Sequence, residues 1–225
     1  MKPFAEIYDR AAMRKGGEAE LQNLIQVDIK TPDQLTAVAD DRYLSAITKS
    51  VFQAGFVWRV IENKWNGFEE AFWSFNVMRC AHMSENDIDN LAQDTRIVRN
   101  RQKILTVRDN AVMVYELSMK YGGFGKMLAD WPDEDYIGLL ALLKKRGSRL
   151  GGNSAQYFLR RMGKAGFVLG RDGVAALIDA GIIDKAPTGK AAMQNVQRAY
   201  NQWMQESGLN LAQISRVLSL SIDAV

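Results

Sequence analysis

The stretch KKRGSRLGGNSAQYFLRRMGKAGFVLGR, from Lys144 to Arg171, contains eight basic residues and no acidic one. An apolar helical pattern ends at its start, a turn with Gly151 and Gly152 follows, and small polar residues then open a second helix. Adjacent glycines permit a tight turn close to DNA, and the N–H groups that begin a helix bind phosphate. The stretch therefore favours a helix-hairpin-helix that binds the DNA backbone. Gly-Gly turns between helices are, however, common.

The charge of this stretch contrasts with the rest of the chain. The whole sequence has 29 basic and 26 acidic residues, so the remainder holds 21 basic against 26 acidic, a net of −5. A solvated helix face is the alternative interpretation of such a basic run. A basic strip rich in glycine and amide side chains is, however, typical of phosphate binding.

Composition sets the class of protein. The chain has 225 residues, of which 47% are apolar and 24% charged, as in an ordinary globular protein. No apolar run approaches the roughly 20 residues of a membrane span, and no signal-peptide core follows Met1, so a cytoplasmic protein without a membrane partner is predicted. Cys80 and His82 are the only cysteine and histidine, which argues against a disulfide and against a zinc or iron–sulfur site.

Apolar residues recur at helical spacing along most of the chain, and no segment alternates as a strand does. The pattern predicts an all-α protein of about ten helices. The longest is marked by Ile104, Val107, Ala111 and Val114 and ends at Gly122. The predicted helices cover residues 43–52, 58–64, 67–75, 84–91, 101–120, 124–129, 133–145, 154–162, 171–180, 187–206 and 211–220.

Several separated motifs occur in order: FQAGFVWRVIENKWNGFEEAFWSFN (52–76), DTRIVRNRQKI (94–104), the GGFG–W run of residues 122–131, and KKRGSRLGGNSA followed by FVLGRD (144–172). Together they resemble the motifs of the 3-methyladenine DNA glycosylase I family, within the helix-hairpin-helix DNA glycosylase superfamily. The run NQWMQESGLNLAQISRVL (201–218) is similar to the zinc-less bacterial branch of this group.

The resemblance implies a two-lobed all-α helix-hairpin-helix DNA glycosylase fold. A helical barrel lobe would span residues 44–165, with the hairpin near 139–162. The second lobe would combine residues 1–43 and 166–225.

The resemblance also implies roles for the aromatic-rich loop at residues 53–58. A glycosylase extrudes a nucleotide and fills the hole with an inserted side chain. Gln53, Gly55 and Phe56 would form the loop that enters the duplex, with Phe56 the better wedge. Trp58 and Phe52 would line the base pocket. The alternative is that Phe52, Phe56 and Trp58 are core aromatics at a helix kink. We favour the core for Phe52 and the pocket for Trp58.

Two departures from the family bear on specificity. The family has a pocket glutamate that reads the alkylated base three residues before the loop glutamine, and here that position is Ser50, a third pocket candidate. In an ungapped alignment, the family's N-terminal tyrosine and histidine fall on Ala11 and Ala12. A serine cannot supply the charge of a glutamate, so strict 3-methyladenine specificity is not predicted.

Asp172 is the candidate catalytic residue. It follows Ala155 by 17 residues, a spacing that resembles the position of the superfamily's catalytic aspartate, which stabilises a cationic sugar or activates water. The alternative is a cap of the helix that starts near Gly173. Asn153 stands near the position of the lysine in lyase-competent relatives, so a monofunctional enzyme is predicted.

The hairpin supplies the predicted phosphate contacts, and its carbonyl groups around Leu150 to Asn153 are a possible site for a monovalent cation. No other cofactor and no metal are predicted. Further phosphate contacts are candidates at Arg96, Arg99, Arg101 and Lys103, about half of which are expected to face solvent. The hairpin contacts are Lys145, Arg149, Gly151, Gly152, Asn153 and Ser154.

These observations lead to one expected function. The protein would be a monomeric, nucleoid-associated base-excision repair glycosylase that binds double-stranded DNA containing damaged bases. It would hydrolyse the N-glycosidic bond of a flipped, alkylated, 3-methyladenine-like purine. The alternatives are a glycosylase for a different lesion and a non-catalytic helix-hairpin-helix protein that binds distorted DNA.

Overall fold

The structure, a computed structural model, describes residues 1–223, and helices are the only regular secondary structure in that range. The all-α prediction is confirmed. The described residues form fifteen α-helices and two short 3-10 turns, more than the predicted number, because four of the α-helices have no counterpart among the predicted segments. The 3-10 turns arise where a predicted segment divides, as in residues 67–75, which contain the end of one α-helix and a 3-10 turn at Trp73–Phe75.

The chain forms two compact units whose boundaries differ from those of the predicted lobes. The terminal unit comprises residues 1–29, 132–139 and 165–225, of which 224 and 225 lie outside the described residues. The hairpin unit comprises residues 30–131 and 140–164. Residues 30–43 therefore belong with the hairpin, because the helix at Pro32–Thr36 packs against the helix at Phe124–Asp130 within the hairpin unit.

The terminal unit joins both ends of the chain. In its core, the rings of Phe167 and Tyr200 stack at a centroid distance of 4.3 Å. The Trp203 indole Nε1 donates to the Lys2 carbonyl at 3.3 Å, which ties the N-terminus to a C-terminal helix. The helices that lie wholly in this unit are α1 (Phe4–Lys15), α2 (Glu18–Leu24), α13 (Arg171–Asp179), α14 (Lys190–Ser207) and α15 (Leu211–Leu220).

The hairpin unit contains the remaining helices. The helix α11 (Tyr136–Arg146) begins in the terminal unit and ends in the hairpin unit. The others are α3 (Pro32–Thr36), α4 (Asp40–Gln53), α5 (Trp58–Asn63), α6 (Trp65–Ala71), α7 (Val77–Ala81), α8 (Glu85–Leu91), α9 (Arg101–Tyr121), α10 (Phe124–Asp130) and α12 (Asn153–Met162).

Local sequence signals account for several helix ends. Gly122 follows α9 with φ 77°, the left-handed conformation of a glycine C-cap, as predicted. The Ser84 hydroxyl accepts from the Asp87 N–H while the Asp87 carboxylate accepts from the Ser84 N–H, which closes a capping box at the start of α8.

Helices α1, α2, α3 and α7 are not predicted from the apolar pattern. In α1, only Phe4, Ile7 and Ala11 are buried, at spacings of three and four residues. A stripe this narrow is a weak signal, because a core-facing helix normally shows a broader apolar face.

No helix within residues 1–223 is long and apolar enough to cross a membrane. The same residues contain no group of three or more His, Cys, Asp or Glu side chains arranged to hold a metal ion.

Candidate functional site

The hairpin unit contains a cavity of about 350 Å³. It lies where the C-terminus of α4 and the loop after it meet the start of α12. This volume falls in the range of about 300–1,000 Å³ that is typical of ligand sites. The lining residues are Ser50, Gln53, Ala54, Gly55, Phe56, Trp58, Asn153, Ser154 and Tyr157.

The structure therefore brings together two groups of residues that the sequence suggested separately. Ser50, the 53–56 loop and Trp58 come from one motif, and Asn153 and Ser154 come from the hairpin. Tyr157 was not predicted, although it lies one helical turn after Asn153 on the same face of α12. A larger open groove of about 610 Å³ follows α14, but its lining comes from the solvent-facing side of that single helix.

The loop after α4 is an exposed apolar run. Gly55 has φ 74°, a left-handed conformation that favours glycine. Val57 is 69% exposed, Trp58 45% and Phe56 39%. Contiguous exposed apolar side chains of this kind mark interaction surfaces.

Lys103 fixes the backbone of this loop. Its ammonium group donates to the carbonyl oxygens of Phe52 at 3.0 Å and Ala54 at 2.6 Å, and it lies 4.3 Å from the centre of the Phe56 ring. The side chain is only 5% exposed, and burial, followed by repulsion from Arg149, lowers the pKa of its ammonium group. Lys103 is therefore a loop anchor, and the prediction that it contacts phosphate is wrong.

The structure also decides between the two interpretations of Phe52 and corrects the prediction for Gln53. Phe52 is fully buried and packs edge-on against Phe68 at 4.8 Å, so it belongs to the core, as favoured from the sequence, and does not line the cavity. Gln53 is only 2% exposed, because hydrogen bonds on both sides of its amide hold it in the cavity wall. It therefore does not project as a wedge.

One wall of the cavity is aromatic. The rings of Trp58 and Tyr157 meet edge to face at a centroid distance of 5.0 Å. This is one of the preferred geometries for a pair of aromatic rings, and the faces left open are apolar surfaces for a planar ligand.

A polar network centred on Arg161 supports the cavity wall at Ser50 and Gln53. The Arg161 guanidinium donates to the Ser50 hydroxyl at 2.6 Å and to the Gln53 amide oxygen at 2.5 Å. The Gln53 amide nitrogen donates to the Glu62 carboxylate at 2.8 Å, and Lys49 pairs with the same carboxylate at 2.5 Å. Burial lowers the pKa of the Arg161 guanidinium, and the charge of Glu62 opposes this shift.

The hairpin turn, residues 147–152 between α11 and α12, is held by Asn110. This fully buried amide donates to the Ser148 carbonyl at 3.1 Å and accepts from the Ser148 N–H at 2.8 Å. Arg149 and Gly152 have φ 59° and 54°, so the turn uses left-handed backbone twice. Asn110 was not predicted as a functional residue. Like Lys103, it is a polar residue on the buried stripe of α9, and this position in an apolar pattern could have identified it from the sequence.

The predicted phosphate contacts lie around this turn. Lys145 and Gly152 are exposed, and no side chain caps the N-terminus of α12, which begins at Asn153. Arg149 is exposed and donates to the Gln102 amide oxygen at 2.7 Å. Gly151, Asn153 and Ser154 are half-buried.

Other basic residues have internal partners. Arg96 pairs with Asp94 at 2.7 Å and with Glu70 at 3.3 Å. Arg101 pairs with Asp89 at 2.9 Å and with Glu85 at 3.1 Å. Arg99 is exposed. These exposed pairs are weak, so Arg96 and Arg101 stay candidates for phosphate contact.

The carbonyl groups of the turn suit a monovalent cation in chemical type, because hard cations prefer oxygen ligands. Three of these carbonyls accept hydrogen bonds: Ser148 from Asn110, Gly151 from the Ser154 N–H at 3.3 Å, and Gly152 from the Gln156 amide at 3.3 Å. Each retains a second lone pair. The cation site stays a prediction.

Asp172 lies in the terminal unit, in the first turn of α13. The N-cap of this helix is Gly170 and no side chain makes a capping hydrogen bond, so the alternative that Asp172 caps the helix is wrong. Its side chain is 46% exposed and lies 3.5 Å from the Arg171 guanidinium. The catalytic role of Asp172 stays a prediction.

Comparison with known proteins matches this sequence to a protein family. The family model described as methyladenine glycosylase matches residues 35–169, more than half of the chain. A curated relative, DNA-3-methyladenine glycosylase 1 of Escherichia coli (strain K12), is 36% identical over 59 residues, or 26% of this chain. That match spans only 32% of the relative's own length.

Solved structures show similarity of fold. The 3-methyladenine DNA glycosylase I of Staphylococcus aureus gives a TM-score of 0.50 at 20% identity, covering 69% of this chain and 90% of that one. The 8-oxoguanine DNA glycosylase of Methanocaldococcus jannaschii gives a TM-score of 0.56 at 13% identity, covering 94% and 91%.

Proposed function

Because this chain belongs to the methyladenine glycosylase family, we propose that it is a base-excision DNA glycosylase. Its reaction would be hydrolysis of the N-glycosidic bond of an alkylated purine that has been flipped out of duplex DNA. The cavity carries this proposal, because it has the size of a small-ligand site and lies between an exposed apolar loop and the hairpin.

Each part of the site suits one step of such a reaction. The N-terminus of α12 and the basic residues around the turn suit DNA phosphates. The exposed side chains of Phe56 and Val57 suit insertion into the base stack, which compensates for unstacking of the flipped nucleotide. Trp58 and Tyr157 then provide aromatic surfaces for the extruded base.

Bond cleavage is assigned to Asp172. As the bond from the sugar to the base breaks, its electron pair leaves with the base and positive charge develops on the sugar. A carboxylate stabilises that charge and accepts a proton from the attacking water, and a base that leaves as an anion takes up a proton from solvent. Asn153 has no amine that could form a Schiff base, so release of the free base and an abasic site would complete the reaction.

The proposal also covers location and assembly. A monomer acting on chromosomal DNA would work in the cytoplasm, at the nucleoid.

The decisive experiment is release of free bases from alkylated genomic DNA, identified by mass spectrometry. Alkylated purines in excess of spontaneous loss are expected, and the Asp172→Asn variant is the matched control. Tight binding to distorted duplex without release of any base would replace the proposal with a non-catalytic DNA-binding protein.

A further inference from the structure

The wall of the cavity at Ser50 carries an unusual charge. Both hydrogen bonds of the buried end of Arg161 go to neutral side chains, the Ser50 hydroxyl and the Gln53 amide oxygen. An arginine stays protonated inside proteins, so its positive charge lies directly behind two lining residues of the cavity.

Nearby charges do not cancel this one. The Glu62 carboxylate is shared between Lys49 and Gln53, and Lys103 adds a second buried cation under the loop. Three cations therefore surround the loop and wall against one carboxylate. None of the nine residues that line the cavity is acidic.

The polar groups of this wall are also oriented. The Ser50 hydroxyl donates to the Ala46 carbonyl at 3.0 Å and accepts from Arg161, so its proton is already committed within α4. The guanidinium has five N–H donors and uses two of them on Ser50 and Gln53. A ligand at this wall thus meets the positive field of Arg161.

We propose that the base received by this cavity is an uncharged purine, selected by the positive charge of Arg161 behind the Ser50–Gln53 wall. This inference rests on the proposed glycosylase function and narrows its substrates. Purines that alkylation leaves cationic are disfavoured, because like charges repel in a partly desolvated site. Arg161 is then a specificity-determining residue, which acts through the charge it places behind the wall.

The test compares two duplexes, each with one alkylated purine: neutral 1,N6-ethenoadenine or cationic 7-methylguanine. Single-turnover excision rates are measured for four proteins: wild type, Ser50→Glu, Ser50→Gln and Arg161→Gln. Each rate is divided by the rate of spontaneous release of the same base. Glutamate and glutamine have the same size, so their difference isolates the charge. Thermal melting checks that each variant folds.

Wild type is expected to accelerate release of the neutral base more than that of the cationic base. Ser50→Glu should raise the ratio of cationic to neutral excision roughly tenfold or more relative to Ser50→Gln, because the new carboxylate neutralises Arg161. Arg161→Gln should shift the ratio in the same direction. Equal ratios in Ser50→Glu and Ser50→Gln, or a wild-type preference for the cationic base, would overturn the inference.

A second readout separates this inference from the proposed function. Affinity is measured for the same duplexes with a 2′-fluoro sugar, whose glycosidic bond resists cleavage. If the protein binds the neutral 2′-fluoro duplex more tightly but excises neither base from the ordinary duplexes, the inference is sustained and catalysis is refuted. Excision with equal affinities and equal accelerations would sustain catalysis and refute the inference.

Discussion

Lys103 illustrates how one residue can organise a functional loop. Its ammonium group satisfies two carbonyl oxygens at the end of α4, where the helix has no further N–H donors to offer. Lys103→Met keeps the length of the side chain but leaves both acceptors without this partner. We expect the free energy of unfolding to fall by about 1–3 kcal/mol, the usual cost of an unsatisfied buried polar group.

Urea denaturation of Lys103→Met provides the measurement, and Lys120→Met, at an exposed position of the same helix, is the control. In Lys103→Met, both the stability and the affinity for a lesion-containing duplex should fall. In the control, both should stay at the wild-type value. An unchanged or higher stability would mean that desolvation of the buried cation outweighs its two hydrogen bonds.

Asp172 can be tested at the same scale. Asp172→Asn removes the anion but keeps the size of the side chain, so base release should be lost while affinity for the lesion duplex changes little. Removing an acidic residue from the first turn of α13 should cost at most about 0.3–1 kcal/mol of stability. Single-turnover excision, read beside duplex affinity, distinguishes the two effects.

The exposed Asp184→Asn is the matched control in the terminal unit. Equal excision rates for wild type and Asp172→Asn would remove Asp172 from the mechanism. Catalysis would then depend on the shape of the cavity alone.

The hairpin is the element on which DNA affinity should depend. Each phosphate contact releases a little under one counterion, so neutralising Lys145 and Arg149 together should flatten the salt dependence of DNA binding by roughly two units of slope. The measurement is the dissociation constant of an undamaged duplex over a series of salt concentrations, for wild type and for Lys145→Gln/Arg149→Gln.

Lys185→Gln/Lys190→Gln, which changes the net charge equally on exposed lysines outside the hairpin, is the control. An equal flattening in both double variants would show that binding follows net charge. An unchanged slope in the hairpin variant would place the DNA contacts elsewhere.

Elements with strong local signals could be predicted, and contacts between elements could not. Helix α9 followed from its apolar stripe and Gly122, and α8 from the cap at Ser84. The pairing of Ser50 with Arg161 joins residues 111 positions apart, and nothing local to either residue indicates it. The N-terminal helices were missed because their buried faces are narrow.

The residues of the candidate site also divide into those that the sequence predicts and those that it does not. Trp58 and the hairpin residues were found from motifs, whereas the positions of Phe52 and Gln53 depend on packing that a motif does not describe. Lys103 and Asn110 are intermediate cases, because a polar residue on an apolar stripe shows at sequence level that something must satisfy it. Only the folded structure shows which group satisfies that polar residue.

At the scale of the whole molecule, stability should depend on pH through Glu69. Burial alone would raise the pKa of this carboxyl group, but hydrogen bonds from Arg42 and Ser45 outweigh it and lower the pKa. Arg42 binds both carboxylate oxygens at 3.0 Å, and the Trp65 indole adds a further bond at 3.2 Å. The network ties α4 to α6.

A lowered folded-state pKa means that Glu69 stabilises the fold above its unfolded pKa of about 4.3 and loses this contribution as the pH falls further. Glu69→Gln removes the titration and keeps the size. We expect the stability difference between wild type and Glu69→Gln to be largest near neutral pH and to shrink below about pH 4. Urea midpoints across this range are the measurement, and a constant difference would contradict the assignment.

The construction of the terminal unit from both ends of the chain has a consequence for synthesis on the ribosome. The Phe4 N–H donates to the Glu206 carboxylate at 3.0 Å, and the Lys2 N–H donates to the Ala180 carbonyl at 3.1 Å. The hairpin unit has its whole sequence once residue 164 has emerged, whereas α1 must wait for α14 and α15, which it contacts.

At about 5–20 residues per second, translation of residues 165–220, up to the end of α15, takes about 3–11 s. Throughout that interval the apolar stripe of Phe4, Ile7 and Ala11 has no completed core to enter, so it stays exposed on the nascent chain.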